Sequence, residues 1–251
     1  MTPLLDPRIV LVNKKVNEIA NIIAVMSSKG GVGKTVLSTT ISLLLADKGF
    51  RVGLLDLDIT NPSAHIVLGV DPEKIKPIEE KGVIPPEVHG VRFMTIAFYC
   101  GENPLPLRGH NIDNVIKEVL AITNWGKLDF LVIDSPPGLS DEVLDILEYI
   151  SKLKTIIITT PSPLSISATR KLIELIKEAN IEILGIIENM AEKPSDTVTS
   201  LCSRHAIRYL GNVPYFHELD SLLGNVDRLV KSRFAKHVGQ IIQAIIGVIH
   251  R

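Results

Sequence analysis

The octapeptide Ser28-Lys29-Gly30-Gly31-Val32-Gly33-Lys34-Thr35 constrains the fold more than any other stretch of this chain. A strand-like apolar run at 22–26 precedes it, and a helix-like segment at 36–48 follows. A glycine-rich turn between a buried strand and a helix gathers backbone N–H groups and the positive helix end at one point, where an anion binds. The spacing puts Lys34 within reach of the β and γ phosphates of a nucleotide and the Thr35 hydroxyl within reach of Mg²⁺. Ser28 stands where the usual phosphate-loop pattern begins with glycine. Gly30, Gly31 and Gly33 still leave a cradle poor in Cβ atoms.

Apolar runs alternate with helical patterns along the rest of the chain. The runs fall at 22–26, 51–55, 91–98, 130–133, 155–159, 183–187 and 207–211. The helical patterns fall at 36–48, 111–123, 141–151, 165–179, 196–205 and 231–249. Such alternation predicts an α/β fold, a mostly parallel sheet with helices on both faces. The β-branched runs suit strands buried on both sides. With 251 residues, 45% of them hydrophobic, the chain is expected to form one large domain with a sizeable core. Residues 71–90, rich in Pro, Glu and Lys, read as a surface excursion, and residues 1–21 as an N-terminal arm.

A formal net charge of −1 gives no global attraction to nucleic acid or anionic membrane. No apolar run approaches the ~18 residues that a membrane-spanning helix needs, and the N-terminus lacks the pattern of a signal peptide. Two cysteines far apart in sequence, Cys100 and Cys202, fit a reducing cytoplasm without a disulfide framework.

Two strand ends carry acids. Asp56-Leu57-Asp58 closes one run, and alternation puts both carboxylates on one side of the chain. Asn61 reads as the N-cap of a short helix beyond. Residues 130–133 followed by Asp134 look like the strand whose terminal acid holds Mg²⁺ through water. Pro136, Pro137 and Gly138 then form a turn whose backbone can sense a γ-phosphate. Ligands of open α/β sheets sit at the carboxyl ends of the strands, so these acids should face the phosphate loop.

Together these residues resemble the MinD/ParA/Mrp superfamily of P-loop ATPases. Lys-Gly-Gly-Val-Gly-Lys-Thr at 29–35 is similar to its deviant Walker A motif, Asp56-x-Asp58 to its switch I, and Asp134-x-Pro-Pro-Gly138 to its switch II. Asp6-Pro7-Arg8-Ile9, residues 56–63, Arg108-Gly109, Trp125-Gly126-Lys127-Leu128-Asp129 and Glu188-Asn189-Met190 resemble elements of the Mrp/ApbC branch, which acts in iron–sulfur cluster assembly. The resemblance covers residues 6 to about 240. Two departures stand out. The branch carries a Cys-Pro-x-Cys pair shortly after Glu-Asn-Met, whereas residues 191–196 here contain no cysteine; Cys202 alone cannot supply a bridging cluster and reads as a buried helix residue. Val36 replaces a hydroxyl residue, but its backbone N–H remains.

The resemblance implies an ATPase whose cofactors are ATP and Mg²⁺. Gly30, Gly31, Val32, Gly33, Lys34, Thr35 and Val36 would hold the phosphates. Thr35 would ligate the metal, with Asp134 and Asp56 in its outer shell, and Asp58 would orient the attacking water. Lys29 would cross to the phosphates of a second subunit, so hydrolysis would need a homodimer closed by ATP. Asn189 and the loop at Pro214 would contact the base. The implied role is work on a protein client in iron–sulfur metabolism. A nucleotide-gated scaffold and a MinD/ParA-like positioning ATPase are the alternatives. The last would use a membrane or DNA matrix. The C-terminal helix lacks a Lys/Arg row and is expected to pack in the core, and Arg228, Lys231, Arg233 and Lys236 to form a solvated face. No role follows for His65 or His110.

Overall fold

The computed structural model describes residues 6–101 and 109–249. Helix α1 (Pro7–Val16) leads into β1 (Ile19–Ser27), and the phosphate loop connects β1 to α2 (Lys34–Asp47). Then come β2 (Val52–Asp56), α3 (Ala64–Leu68), three two-residue strands β3 (Ile78–Glu79), β4 (Val83–Ile84) and β5 (Glu87–Val88), β6 (Val91–Thr95) and α4 (Ala97–Cys100). The second half runs α5 (His110–Ile122), β7 (Leu128–Asp134), α6 (Asp141–Tyr149), β8 (Leu153–Thr159), α7 (Pro163–Glu178), β9 (Glu182–Asn189) and α8 (Asp196–His205). It closes with β10 (Tyr209–Val213), a 3₁₀ turn at Leu219–Leu222, α9 (Val226–Val230) and α10 (Arg233–Ile249).

Eight strands form one sheet in the order β10-β9-β8-β1-β7-β2-β6-β5, with β5 against β6 the antiparallel pair and β3-β4 a separate hairpin. The α/β fold expected from the alternation is thus the one observed. The reason lies in β1, β7 and β8, whose apolar residues Ile22, Ile23, Val25, Phe130, Val132, Ile156 and Ile158 are buried on both faces. Such strands need helices on each side. Strand order reverses at β1, between β8 and β7, which opens a crevice at the strands' carboxyl ends. Polar residues end the strands there: Ser27, Asp134, Asp56 and Asn189.

Several boundaries differ from the sequence reading. The expected arm is, from Asp6 onward, a docked helix. Asp6 Oδ1 accepts the Arg8 N–H, Pro7 takes the first turn, and Val12 and Val16 are buried. Arg8 Nη2 donates to Asn114 Oδ1 on α5 at 2.9 Å, tying α1 down. The run at 91–98 splits because the Thr95 hydroxyl accepts the Ala97 N–H at 3.3 Å and the chain turns into α4. The excursion at 71–90 is only partly superficial, since Val83 and Val88 are buried and β5 joins the main sheet. Helix α10 packs inward, with Val238, Ile241, Ile242 and Ile245 buried. Among the described residues no helix is long and apolar enough to cross a membrane. Arg108 of the Arg-Gly element lies outside the described residues, as does the His110 side chain.

Val12 is fully buried. Val12→Ala should cost about 2 kcal/mol in urea unfolding, the price of two buried methyls and the space they leave.

Candidate functional site

The phosphate loop owes its shape to two glycines. Gly31 and Gly33 have φ of 76° and 83°, a region that L side chains enter at a cost. At Gly33 the space is also taken, because an added Cβ would lie 2.3 Å from Asn189 Nδ2. Asn189 is held there by donating to the Val32 carbonyl at 2.8 Å. The last residue of β9 therefore touches Val32 of the loop, 157 positions earlier in the chain.

Lys34 and Asp134 form the electrostatic centre. The Lys34 ammonium lies 2.6 Å from Asp134 Oδ1, with the two side chains 6% and 0% exposed. The Thr35 hydroxyl donates to Asp134 Oδ2 at 2.6 Å. Ser38, one turn further along α2, donates to Asp134 Oδ1 at 3.0 Å, a support that the motif spacing did not reveal. Ser63 Oγ sits 3.5 Å from the Thr35 hydroxyl. These donors are hard oxygens clustered beside a phosphate-binding loop, and they suit a small dication that completes its shell with water and phosphate oxygens.

The two switch I acids have different surroundings. Asp56 is wholly buried and paired in register with Asp134 across β2 and β7. Its Oδ1 accepts the Asp58 N–H, and its Oδ2 accepts the N–H groups of Ser63 at 3.0 Å and Ala64 at 3.1 Å. Burial, then the nearby Asp134 charge, pushes its carboxyl up to about 7, against the pull of those N–H groups and of Lys34. Asp56 thus organises the 58–64 segment. The cap of α3 is Ser63, not Asn61, whose N–H instead donates to Asp58 Oδ1. Asp58 is 8% exposed and lines the phosphate end of the groove. Burial raises its carboxyl above the usual range, and among the described residues no donor reaches its Oδ2.

Switch II is differently engaged from the expectation. Pro136 and Pro137 carry no N–H, and the Gly138 N–H donates to the Ser27 carbonyl at 2.9 Å. None of these three residues therefore offers a free donor in this conformation. Pro137 does line the phosphate end, together with Lys29, Gly30, Gly31, Gly33, Lys34, Thr35, Val36, Asp58, Asn61 and Ser63 around a hollow of 230 Å³. Lys29 has no ion pair among the described residues.

A second hollow of 280 Å³ shares Gly31, Gly33 and Val36 with the first and extends to Asn189, Met190, Pro214, Tyr215, Phe216, Asp220 and Phe234. The two form one groove with a polar, lysine-bearing end and an aromatic end. Asn189 and Pro214 line the second end. Tyr215, Phe216 and Phe234 were not foreseen, since nothing in their local sequence marks them. A larger hollow of 630 Å³ beside α3 is lined by His65, Asp71 and Glu73 among others, and two of these are carboxylates ill suited to a polyphosphate.

Among solved structures, a nucleotide-binding protein from Archaeoglobus fulgidus in complex with ADP aligns with a TM-score of 0.74 and 27% identity, covering 90% of this chain and 96% of that one. The cell division ATPase MinD of Pyrococcus furiosus shares the fold, with a TM-score of 0.67 at 23% identity over 91% of this chain and 99% of that one. Among relatives by sequence, an iron–sulfur cluster carrier protein of Aquifex aeolicus is 33% identical over 80% of this chain. The chain spans 59% of that relative's length and 61% of a like-named one from Pseudomonas fragi. A cytosolic Fe–S cluster assembly factor, Nubp2 homolog 2 of Drosophila yakuba, is 34% identical over 91% of this chain and 96% of its own length. The family model for the NUBPL iron-transfer P-loop NTPases matches residues 18–249, which hold both ends of the groove, and the chain belongs to that family.

Proposed function

We propose that this protein binds and slowly hydrolyses ATP as a homodimer and uses that cycle to act on a protein client in iron–sulfur cluster assembly. The observation that carries the reading is the two-ended groove, a glycine loop with two lysines at one end and an aromatic wall at the other. A polar, glycine-lined end that continues into an aromatic end supports a nucleoside triphosphate laid from phosphate to base.

In this reading the N–H groups from Gly30 to Val36 hold the phosphates, and Lys34 leaves Asp134 for the β and γ oxygens. Thr35 and Asp134 would hold Mg²⁺, with Asp56 acting behind them by fixing Ser63 and Asp134's neighbourhood. Mg²⁺ bound there would neutralise charge on the phosphate oxygens. Asp58 orients a water through its uncommitted oxygen; the water oxygen bonds to the γ-phosphorus as the bond to the bridging oxygen breaks and ADP leaves. Lys29 would supply a further cation in trans. It lines the phosphate end, it has no ion pair among the described residues, and it would reach the partner's phosphates in a face-to-face dimer.

The client role follows from what the relatives are named for. A cluster bridging two copies is not part of it. Residues 191–196 have no cysteine, and Cys202 is 3% exposed on α8 with its thiol pushed up to about 11 by burial and the Glu188 charge. The cytosol named for the Drosophila relative is the compartment proposed. Membrane and nucleic-acid roles find no support, because α10 turns its apolar face inward and net charge is −1.

Measured ATPase activity of the purified protein tests the core of the proposal, and absence of Mg·ATP binding in calorimetry would end it. Lys34→Ala should abolish nucleotide binding and, by leaving Asp134 buried and unpaired, lower the stability of the free protein by about 3 kcal/mol in urea titration. Lys29→Ala should leave ATP affinity within about twofold and cut turnover by ~10³-fold; undiminished turnover would refute the trans role. Gly33→Ala, which forces a methyl onto Asn189, should weaken ATP binding at least ~10-fold in the same calorimetry. After anaerobic reconstitution with iron and sulfide the protein alone should stay colourless; a brown, sulfide-bearing product would overturn the exclusion of a cluster.

A further inference from the structure

Glu188, one residue before Asn189, is a charged side chain that the nucleotide chemistry above does not use. It is 0% exposed. Its Oε2 accepts the Ser195 N–H at 3.1 Å and the Tyr209 hydroxyl at 2.8 Å. Its Oε1 is buried and has no hydrogen-bond partner among the described residues. A buried carboxylate with an orphaned oxygen is costly and is kept only where its contacts do something an apolar residue cannot.

What those two contacts fix is the aromatic end of the groove. After Asn189 the chain turns through Met190, which has φ of 58° and lines the hollow. A left-handed methionine persists only where its surroundings hold it. The return of that turn is anchored by the Ser195 N–H on Glu188, by the Ala191 N–H on the Val213 carbonyl at 3.0 Å and by Asn212 Nδ2 on the Ala191 carbonyl at 2.7 Å. Ser195 also caps α8, accepting the Val198 N–H, so the turn ends on a fixed helix. The second contact reaches β10, whose register against β9 slips between Tyr209 and Gly211. The Tyr209 hydroxyl on Glu188 crosses that slip, and β10 then delivers Pro214, Tyr215 and Phe216 to the lining of the same hollow. Alternation along β9 puts Asn189 against the phosphate loop and Glu188 on the other side of the strand.

We propose that Glu188 is a positioning residue for base recognition: its single oxygen Oε2 ties the Met190 turn and β10 together, and so sets the spacing of the two segments, at Met190 and at Pro214–Phe216, that line the base end of the groove. The inference rests on the nucleotide reading of the groove and adds to it the part that sets affinity for the base as distinct from the phosphates. Cys202 supports the placement. Its thiol, buried on α8, is pushed up first by burial and then by the Glu188 charge, and Ser195, the cap of α8, donates its N–H to Glu188.

The test compares Mg·ATP with inorganic tripolyphosphate, which engages the phosphate loop and has no base. In calorimetry the wild type should bind both, ATP more tightly. Glu188→Ala should weaken ATP binding about tenfold while tripolyphosphate changes less than about twofold. Tyr209→Phe, which removes one hydroxyl and no charge, should weaken ATP about threefold with tripolyphosphate again unmoved, and it carries the test if Glu188→Ala fails to fold. Glu188→Gln should keep wild-type selectivity, because one amide oxygen can accept both bonds. Equal loss of both ligands in the variants, or unchanged ATP affinity in Tyr209→Phe, would overturn the positioning role and leave the nucleotide reading standing. A wild type that binds tripolyphosphate no more weakly than ATP would overturn both.

Discussion

The ion pair between Lys34 and Asp134 is the contact on which the rest of the molecule turns. It joins the first helical residue after the phosphate loop to the last residue of the neighbouring strand, at 2.6 Å and almost without solvent. A buried pair of this kind adds little net stability, because removing both charges from water offsets most of their attraction. Its value is that neither partner can leave unless another charge replaces it. A polyphosphate drawing Lys34 away strips Asp134 of its cation, and a metal at Thr35 and Asp134 would restore the balance. In the proposed function, binding of the two charged species would be coupled through this one carboxylate.

The sheet exists, in this view, to bring such groups together without water. β1, β7 and β2 lie side by side, and their polar ends meet where strand order reverses. Asp56 shows the same economy. It is too buried to face solvent, and it holds the 58–64 backbone so that Asp58 stands at the groove with one oxygen uncommitted. At the far end Glu188 holds the Ser195 N–H and the Tyr209 hydroxyl beneath the aromatic hollow. Three buried carboxylates therefore shape the groove from beneath, and each keeps its place through backbone N–H groups, hydroxyls or an ammonium.

Much of this was legible in advance, for a definite reason. The phosphate loop, Asp56, Asp58 and Asp134 belong to motifs whose spacing along the chain is fixed by strand–turn–helix geometry. The centres of all seven apolar runs fall in observed strands, and for the interior strands two-sided burial is what leaves the apolar signature. The arm was misread because α1 has an exposed face carrying Val10 and Leu11, and its docking depends on α5, a hundred residues away. Asn61 was misread as a cap because a local rule ignores the carboxylate of Asp58 that claims its N–H. The Pro136–Gly138 turn looked like a phosphate sensor until the Ser27 carbonyl proved to hold its one relevant N–H.

By itself the sequence determined the strand-loop-helix cradle, the alternating architecture and the family, since each follows from contacts between residues near one another in the chain or from periodicity along it. The tertiary structure alone decided how the groove is closed. Ser38 beneath Asp134, Asn189 against Val32, Tyr209 on Glu188, and the aromatic wall of Tyr215, Phe216 and Phe234 are pairings across folded distance. A linear pattern records which side chains must be apolar or charged. It does not record which carbonyl a given amide will meet once the sheet has twisted and the helices have settled on it.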